Sequence, residues 1–380
     1  MENIKPKTWI ELSQENINFN LDKFRNRVGE QVKIMGVVKS NAYGHGAIQV
    51  ARMIEKKVDY FAVDSIDEAL EIKNEVGGKP ILILGYTLHD NLKIVIENEF
   101  EQVLANIETL ERLKKESEIL KKAAKVHLKI ETGTSRQGIF QADIDQYLDL
   151  IKASNFLQLA GISTHFANIE DTTDFSFAMK QLDVYKKAVE YIEQKGFFGF
   201  LKHTASSAAA IIYPETHFDA VRVGISLYGL WSAPQTFVTS GQINNGFALK
   251  PVLTWKTIVA HIKTLPAGTY VSYGCTEKVE KETQVAVLPI GYRDGFDRKL
   301  SSIGEVLIHG KRCRVLGRVC MNMVVVDIDH LDDVQLEDDV VLIGPQYDEV
   351  VTAEEIAAKI NTINYEVVTR INWEIERRKI

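Results

Sequence analysis

Lys39 ends a short apolar segment and is followed at once by a turn that contains two glycines. Residues 34–38 are apolar enough for a buried strand, and residues 39–46 read Lys-Ser-Asn-Ala-Tyr-Gly-His-Gly. A lysine beside a partly dry pocket loses part of its preference for the ammonium form. Its neutral amine can then form a Schiff base with an aldehyde. The segment therefore makes Lys39 a candidate for covalent chemistry.

Further ionisable and hydroxyl side chains follow other apolar segments of the chain. If those segments are parallel strands of a barrel, all of them end at the same face. Functional side chains are expected at that face, so these residues are candidates for the same site as Lys39. They are Lys129, Glu131, His165, His203, Ser206, Ser207 and Arg222.

Eight apolar, β-branched segments predict how the candidate residues are positioned. Most of the stretches between them have helical periodicity and many charges, so that strands alternate with amphipathic helices. Eight such units favour an α/β fold with a (β/α)8 barrel of the TIM type. A doubly wound open sheet competes with it, but no G-x-G-x-x-G follows the first strand. The predicted strands are 34–38, 60–63, 81–84, 102–104, 126–130, 159–163, 201–203 and 220–223, and the predicted helices are 48–56, 66–74, 91–98, 107–122, 144–153 and 175–194.

The character of the sequence changes after Leu230. Asn244, Asn245 and Gly246 are typical of a linker, and the strand-like segments that follow have turn residues between them and no long helices. We therefore predict a barrel domain over residues 1–243 and a mainly antiparallel β domain over 244–380, to which an early strand near Thr8 could also belong. The predicted strands are 252–265, 284–290, 305–309, 312–316, 323–328 and 340–343, with one helix at 353–360.

Composition excludes several classes of protein. The 380 residues carry a net charge of −7, and no basic block with interleaved aromatics suggests nucleic-acid binding. No segment approaches the roughly 20 apolar residues of a membrane span. Three well-separated cysteines suggest neither a disulfide framework nor a metal site. The amino-terminal segment lacks a signal peptide, so we expect a cytoplasmic protein that binds no membrane, nucleic acid or metal.

The segment around Lys39 resembles a known signature. Residues 37–46, Val-Val-Lys-Ser-Asn-Ala-Tyr-Gly-His-Gly, are similar to the cofactor-lysine motif of the alanine racemases, pyridoxal-phosphate enzymes of fold type III. The resemblance implies that Lys39 carries the cofactor covalently. It also implies that Tyr43 binds the cofactor phosphate.

Residues 222–229, Arg-Val-Gly-Ile-Ser-Leu-Tyr-Gly, resemble a second motif of that family. It implies that Arg222 contacts the pyridine nitrogen of the cofactor, and that backbone amides at Gly224 and Ile225 bind the phosphate. A guanidinium cannot accept a proton, so the pyridine would stay unprotonated and act as a weaker electron sink, which favours racemisation over transamination. By the same resemblance Tyr365 is a phosphate ligand and Ser207 binds the cofactor.

The segment Val-Ser-Tyr-Gly-Cys-Thr at 271–276 resembles the one that supplies the family's second acid/base. The resemblance gives this role to Tyr273, acting across a dimer interface, with His165 linked to Arg222 as its assistant. A phenol titrates near pH 10 and needs such assistance near neutrality. Lys39 and Tyr273 would then work on opposite faces of the substrate, although a single base exchanging with solvent could also racemise.

Further family motifs implicate residues around the substrate. The resemblance implies that Arg136 contacts the cofactor phenol oxygen and the substrate carboxylate, and that Lys129 orients Arg136. It also implies that the backbone of Met321 contacts the substrate carboxylate, and that Tyr292 and Arg298 line the substrate path. Several positions differ from the usual family residues, which leaves the substrate open. These positions are Glu131, Thr134, Ser206 and Asn322.

The resemblance extends over about residues 8–370 and retains six motifs in the family's order. It implies a pyridoxal 5'-phosphate-dependent isomerase that interconverts L-alanine and D-alanine for peptidoglycan precursor supply, as a homodimer with shared active sites. The alternative is a racemase of serine or a basic amino acid, lysine or ornithine. A fold type III decarboxylase is a weaker alternative. A non-catalytic pyridoxal-phosphate carrier would have no second domain.

Overall fold

The computed structural model describes residues 4–243 and 247–380 and divides them into two compact units. The predicted linker, 244–246, lies outside the described residues. No helix in the two described ranges is long and apolar enough to cross a bilayer. The barrel unit is Glu15–Ala42 with Val50–Lys250, and the β-rich unit is 4–14, 43–49 and 251–380 among the described residues.

Eight parallel strands form the nearly closed barrel that the sequence predicts. In the sheet they follow one another as residues 201–203, 157–163, 124–129, 101–104, 81–83, 60–63, 33–37 and 220–223. The two end strands are linked by backbone hydrogen bonds from Asp219 N to Lys202 O and from Arg222 N to Ala205 O, each 3.0 Å. After β1, Thr8–Leu12, which lies in the β-rich unit, the barrel strands are β2 Lys33–Val37, β3 Tyr60–Val63, β4 Ile81–Ile83, β5 Glu101–Leu104, β6 Ala124–Lys129, β7 Leu157–Ser163, β8 Leu201–His203 and β9 Ala220–Val223.

Amphipathic helices connect the barrel strands. The helix Ile66–Glu75 shows why they form, because its apolar Ile66, Ala69 and Ile72 are buried on one face. A capping box between Ser65 and Glu68 fixes its first turn. The α-helices are α1 Gln14–Val28, α2 Ala47–Ile54, α3 Ile66–Glu75, α4 Leu92–Glu97, α5 Ile107–Leu120, α6 Ile144–Lys152, α7 Ser176–Gln194, α8 Ser207–Ile212, α9 Pro234–Ile243, α10 Ala353–Ile360 and α11 Asn364–Thr369.

The β-rich unit contains a seven-stranded sheet and a three-stranded sheet. Strand β1 pairs antiparallel with β10 and parallel with β20. The three-stranded sheet has the order β11-β14-β17. Besides β1, the strands of the two sheets and of a small hairpin are β10 Leu253–Ile258, β11 His261–Leu265, β12 Tyr270–Val271, β13 Glu277–Lys278, β14 Thr283–Leu288, β15 Glu305–Ile308, β16 Lys311–Arg314, β17 Val324–Asp327, β18 Asp339–Gln346, β19 Glu349–Val351 and β20 Glu376–Lys379.

Two details of the sequence prediction are wrong in this unit. The predicted strand 252–265 is two strands, because the chain leaves one sheet and enters the other between them. Val259 N bonds Asp338 O at 3.0 Å, whereas Ala260 N bonds Val287 O at 2.9 Å. The unit also has a second helix, α11, beside the predicted α10, which begins behind its N-cap Thr352.

Candidate active site

Lys39 begins a left-handed turn at the carboxyl end of β2. Ser40, Asn41, Ala42 and Tyr43 all have φ of 53° or 54°. None is glycine, and this conformation costs about 1–2 kcal/mol for each such residue. Its persistence shows that the surrounding structure holds the turn in place.

The carboxylate of Glu68, in the first turn of α3, braces this turn. One oxygen accepts a hydrogen bond from Ser40 N at 2.6 Å, and the other accepts from Asp64 N at 2.7 Å. Asp64 follows β3 and in turn meets Lys39, with Nζ 3.3 Å from Oδ1. The side chain of Lys39 is 35% exposed. Its amine is therefore held at the strand end and remains open to a ligand.

Arg222 is the most fully bonded of the predicted site residues in the barrel. Its Nη1 donates to His203 Nδ1 at 2.7 Å and to His203 O at 2.9 Å. Its Nη2 donates to Thr164 O at 2.8 Å and to Thr204 O at 2.9 Å. A guanidinium has five N–H donors. The Nε–H is the donor left without an acceptor in the described part of the chain.

Burial and neighbouring cations set the charges around Arg222. Burial lowers the pKa of Arg222 itself to about 10. Burial, followed by the charge of Arg222, lowers the pKa of His165 to about 3, and His165 Nδ1 lies 3.5 Å from Arg222 Nη2. His165 is therefore a neutral imidazole beside a buried cation.

Lys129 lies among cations at the end of β6. Burial, followed by the charges of Arg222 and Arg136, lowers its pKa to about 8, and its Nζ donates to Gln137 Oε1 at 3.2 Å. Arg136 is exposed. An excess of positive charge in a partly buried site suits an anionic ligand.

Glu131 and Thr134, two of the residues that differ from the usual family residues, make hydrogen bonds to nearby backbone groups. Glu131 accepts a hydrogen bond from Gly133 N at 2.6 Å, so its carboxylate shapes the loop that contains it. Thr134 donates its hydroxyl to the backbone oxygen of His165. Both residues therefore order backbone near the site.

Hydroxyl groups collect at the start of α8. Ser207 Oγ accepts from Gly224 N at 2.9 Å and from Ser226 N at 3.4 Å. With both acceptor positions used, its hydroxyl hydrogen can be donated to an anion. The buried Oγ of Ser206 has no hydrogen-bond partner among the described residues. This cluster brings Ser207 and Gly224 together as predicted, and Ile225 follows directly.

Tyr43 and Tyr365 lie together in the β-rich unit. Their rings are 6.0 Å apart. A side chain at Gly44, whose φ is +83°, would approach Val368 O to 1.9 Å, so the turn packs directly on α11, the helix that carries Tyr365. Arg377 donates to Gly44 O at 2.9 Å and holds the same turn.

Tyr273, Met321 and Tyr292 lie on loops of the β-rich unit that touch one another. Ser272 donates its hydroxyl to Arg318 O at 2.7 Å, and Tyr292 N donates to Cys320 O at 3.1 Å. The predicted residues themselves point outward, with Tyr273 74%, Met321 55% and Tyr292 43% exposed. Asn322 and Arg298 are exposed as well.

Sequence reasoning missed three carboxylate or imidazole groups that support the site. They are Glu68, Glu101 and His127. His127 and Glu101 are polar residues within buried barrel strands. Such residues need a partner inside the barrel, and that was the signal available in the sequence.

A barrel whose strand ends present a lysine, a buried arginine and free hydroxyl donors defines a class of protein that binds a small anionic cofactor. The comparisons with known proteins specify it. The profile described as alanine racemase, N-terminal domain, matches residues 12–232, and the profile of the C-terminal domain matches 252–379. The chain belongs to the alanine racemase family, whose members depend on pyridoxal phosphate.

Individual relatives resemble the chain along its whole length. Alanine racemase of Leptospira interrogans is 38% identical over 374 residues, which cover 97% of this chain and 95% of that protein. The structure of the Clostridium difficile 630 alanine racemase has a TM-score of 0.93 and 34% identity, with 100% of this chain and 97% of that one covered. The Bartonella henselae alanine racemase, solved with covalently bound pyridoxal phosphate, has a TM-score of 0.85 and 25% identity, with 99% and 100% covered.

Proposed function

We propose that the protein racemises alanine by a two-base mechanism in which Lys39 and Tyr273 serve opposite faces of the substrate. The observation that carries the proposal is the bonding of Arg222. Its four terminal N–H bonds are directed to protein acceptors, which leaves the Nε–H for a ligand. A pyridine nitrogen is an acceptor of the kind that this donor requires.

The residues of the barrel fit pyridoxal phosphate. When bound, this cofactor supplies the electron sink that acidifies the Cα–H bond of an amino acid. Arg222 would hold the pyridine nitrogen through its Nε–H and would give it no proton, because the guanidinium stays protonated near neutral pH even with its pKa lowered to about 10. This limits the electron sink and favours return of the proton to Cα over transfer of the amino group.

We assign the phosphate end of the cofactor to hydroxyl and amide donors. Ser207 has a hydroxyl hydrogen to donate, and the amide of Ile225 lies next to that of Gly224 in the sequence of the loop. The Gly224 N–H donates to Ser207 Oγ in this structure and would turn from it to the phosphate when the cofactor binds. Tyr43 and Tyr365, paired in the β-rich unit, supply two phenol donors. Neutral donors of this kind bind a phosphate without neutralising its charge.

Lys39 and Tyr273 divide the proton transfers. The amine of Lys39 takes or returns the Cα proton on one face, and the phenol oxygen of Tyr273 does so on the other. His165 is neutral because burial and Arg222 lower its pKa to about 3, and its Nδ1 faces the donor Nη2 of Arg222. Its proton therefore lies on Nε2, which can donate a hydrogen bond to the phenol oxygen and orient it. Arg136 and the backbone of Met321 bind the substrate carboxylate, and Lys129 orients Arg136.

We further propose that each active site takes Tyr273 and Met321 from a second copy of the chain. Both side chains are more than half exposed on adjoining loops, which suits residues that act in a partner. Tyr292, Arg298 and Asn322 would border the substrate path of that shared site. The homodimer would work in the cytoplasm and supply D-alanine for peptidoglycan precursors.

A chiral assay tests the proposal. The purified protein with pyridoxal phosphate is incubated separately with L-alanine, L-serine, L-lysine and L-ornithine, with Tyr273→Phe as the comparison. Fast formation of D-alanine that collapses in the variant is the expected result. Faster conversion of another amino acid would contradict the assignment of alanine, and loss of carbon dioxide without racemisation would contradict the reaction.

A further inference from the structure

A chain of hydrogen bonds runs through the barrel interior to Arg222. His203 Nδ1 is 2.7 Å from Arg222 Nη1, and His203 Nε2 is 2.9 Å from His127 Nδ1. His127 Nε2 is 2.7 Å from Glu101 Oε2. The hydroxyl of Tyr60 bonds to the same carboxylate. His127 and His203 are completely buried, and Glu101 is 4% exposed.

The donor at one end of this chain, Arg222, and the acceptor at the other end, Glu101, together allow one direction for every bond. Arg222 can only donate, so His203 Nδ1 must accept and its proton lies on Nε2. His203 then donates to His127 Nδ1, which places the His127 proton on Nε2. His127 in turn donates to Glu101, and the carboxylate accepts from Tyr60 as well. One proton order satisfies all four contacts.

The electrostatics of the barrel agree with this order. Burial, followed by the charge of Arg222, holds the pKa of His203 well below its usual range, so the ring is neutral. Burial and the charge of Glu101 raise the pKa of Tyr60, which keeps its hydroxyl a donor. A buried cation is costly unless an anion or acceptors compensate it, and Glu101 is the anion at the other end of the chain.

The fold provides space for this chain. Tyr60 and Glu101 are the first residues of β3 and β5, and His203 is the last residue of β8, so the bonds cross the barrel from one end of its strands toward the other. Gly161 on β7 faces the His127 ring, where a Cβ would lie 2.1 Å from Nδ1. The strand register also shifts between Val126 and His127.

We propose that Glu101 is a positioning residue that acts through His127 and His203 to keep a hydrogen-bond acceptor against Arg222. The acceptor holds the guanidinium so that its Nε–H faces the ligand. This role rests on the proposed function only in its last step, the contact of Arg222 with the cofactor. The proton order itself follows from the contacts within the barrel.

Loss of the acceptor at position 101 removes what fixes the proton order. In Glu101→Met the His127 proton can move to Nδ1, which forces the His203 proton onto the nitrogen that faces Arg222. Two donors then oppose each other, and the guanidinium must shift. Glu101→Gln keeps a carbonyl acceptor for His127, because its amide group can turn toward the hydroxyl of Tyr60. It is therefore the conservative variant that should restore the order.

Nitrogen NMR of the histidine side chains in the cofactor-loaded protein tests the proton order directly. The chain has nine histidines, and the His127→Gln and His203→Gln variants assign the two signals. We expect both rings to be neutral with the proton on Nε2. A proton on Nδ1 of His203, or a charged ring, in the wild-type chain would overturn the inference without any substitution at Glu101.

Kinetics test the effect on Arg222. We expect Glu101→Met to lower kcat about tenfold or more, as loss of a buried carboxylate that fixes a histidine tautomer does elsewhere. KM for alanine should stay within about twofold, since Arg222 does not contact the substrate carboxylate. Glu101→Gln should recover most of kcat, and Glu111→Met, at an exposed carboxylate, should change nothing.

The two readouts separate this inference from the proposed function. Unchanged kcat in a Glu101→Met protein that has lost the tautomer order would overturn the positioning role and leave alanine racemisation intact. A wild-type chain that keeps the order but racemises no amino acid would overturn the proposed function instead, while the proton order would stand supported.

Discussion

Arg222 and Tyr273 lie in two regions that differ in how deeply their side chains are buried. Arg222 is 8% exposed, and its terminal nitrogens are bonded to groups of the same barrel. Tyr273 is 74% exposed on a loop of the β-rich unit. The difference supports the proposal that a single chain holds the residues assigned to the cofactor, whereas Tyr273, proposed as the second base, acts in the site of a second copy. Substitutions in the two regions should therefore differ in whether a second copy can correct them.

Lys39→Ala should have the largest effect. It removes the amine to which we assign both the covalent link to the cofactor and one of the two proton transfers, so we expect activity to fall by about 10⁴-fold or more. The absorbance of the covalent link between the cofactor and the lysine should also disappear. Lys115→Ala, at an exposed lysine of α5, is the control. A Lys39→Ala protein with substantial activity would refute the assignment of this lysine.

Tyr273→Phe should have the next largest effect, because it removes the proposed second base and alters none of the barrel residues assigned to the cofactor. We expect kcat to fall by roughly 10²–10⁴-fold with normal cofactor absorbance. Tyr347→Phe, at another exposed tyrosine of the β-rich unit, should have no effect. Chiral chromatography measures the loss of activity in each of the two racemisation directions. No loss in either direction would argue for a single base.

Glu68→Gln should weaken the brace of the Lys39 turn. The amide nitrogen would replace one of the two oxygens that accept from Ser40 N and Asp64 N. A donor would then face a donor, at a cost of about 1–3 kcal/mol, so thermal stability and kcat/KM should both decrease. Glu71→Gln, one turn along the same helix and exposed, should match the wild type. If it does not, general loss of helix stability explains the effect.

Acid should destabilise the barrel, because its buried neutral histidines resist protonation in the folded state. Near pH 7 this is the smallest of the expected effects. The pKa of His165 falls from 6.5 to about 3 on folding, so the unfolded chain binds more protons between these values. Stability from this group is full above pH 6.5 and is lost as the pH falls toward 3. Urea unfolding of His165→Asn should show a shallower dependence on pH than His330→Asn, which alters an exposed histidine. Identical slopes would contradict the lowered pKa.

Much of the barrel could be predicted because its strands are buried on both faces and read as apolar segments. Tyr60–Val63, Leu201–His203 and Ala220–Val223 have the predicted limits. The helix Ser207–Ile212 was not predicted, because all six residues are buried and leave no amphipathic pattern. The strand break after Ile258 depends on which sheet each half joins, and local sequence does not contain that information.

The chemistry of the site was predictable to a different extent. The position of Lys39 followed from the strand before it, but the left-handed turn after it did not, since non-glycine residues rarely adopt that conformation. Its brace comes from Glu68, which is remote in sequence. Likewise His127 and His203 are 76 residues apart and meet only inside the closed barrel.

A mixed-dimer experiment tests the central claim that two copies share each active site. Lys39→Ala and Tyr273→Phe chains, each inactive alone, are unfolded together in equal amounts, refolded and assayed with L-alanine. If Tyr273 serves the other copy, each heterodimer regains one intact site, and the mixture should recover about one quarter of wild-type activity. If both residues act within one chain, no intact site can form, and a mixture as inactive as its components would contradict the account.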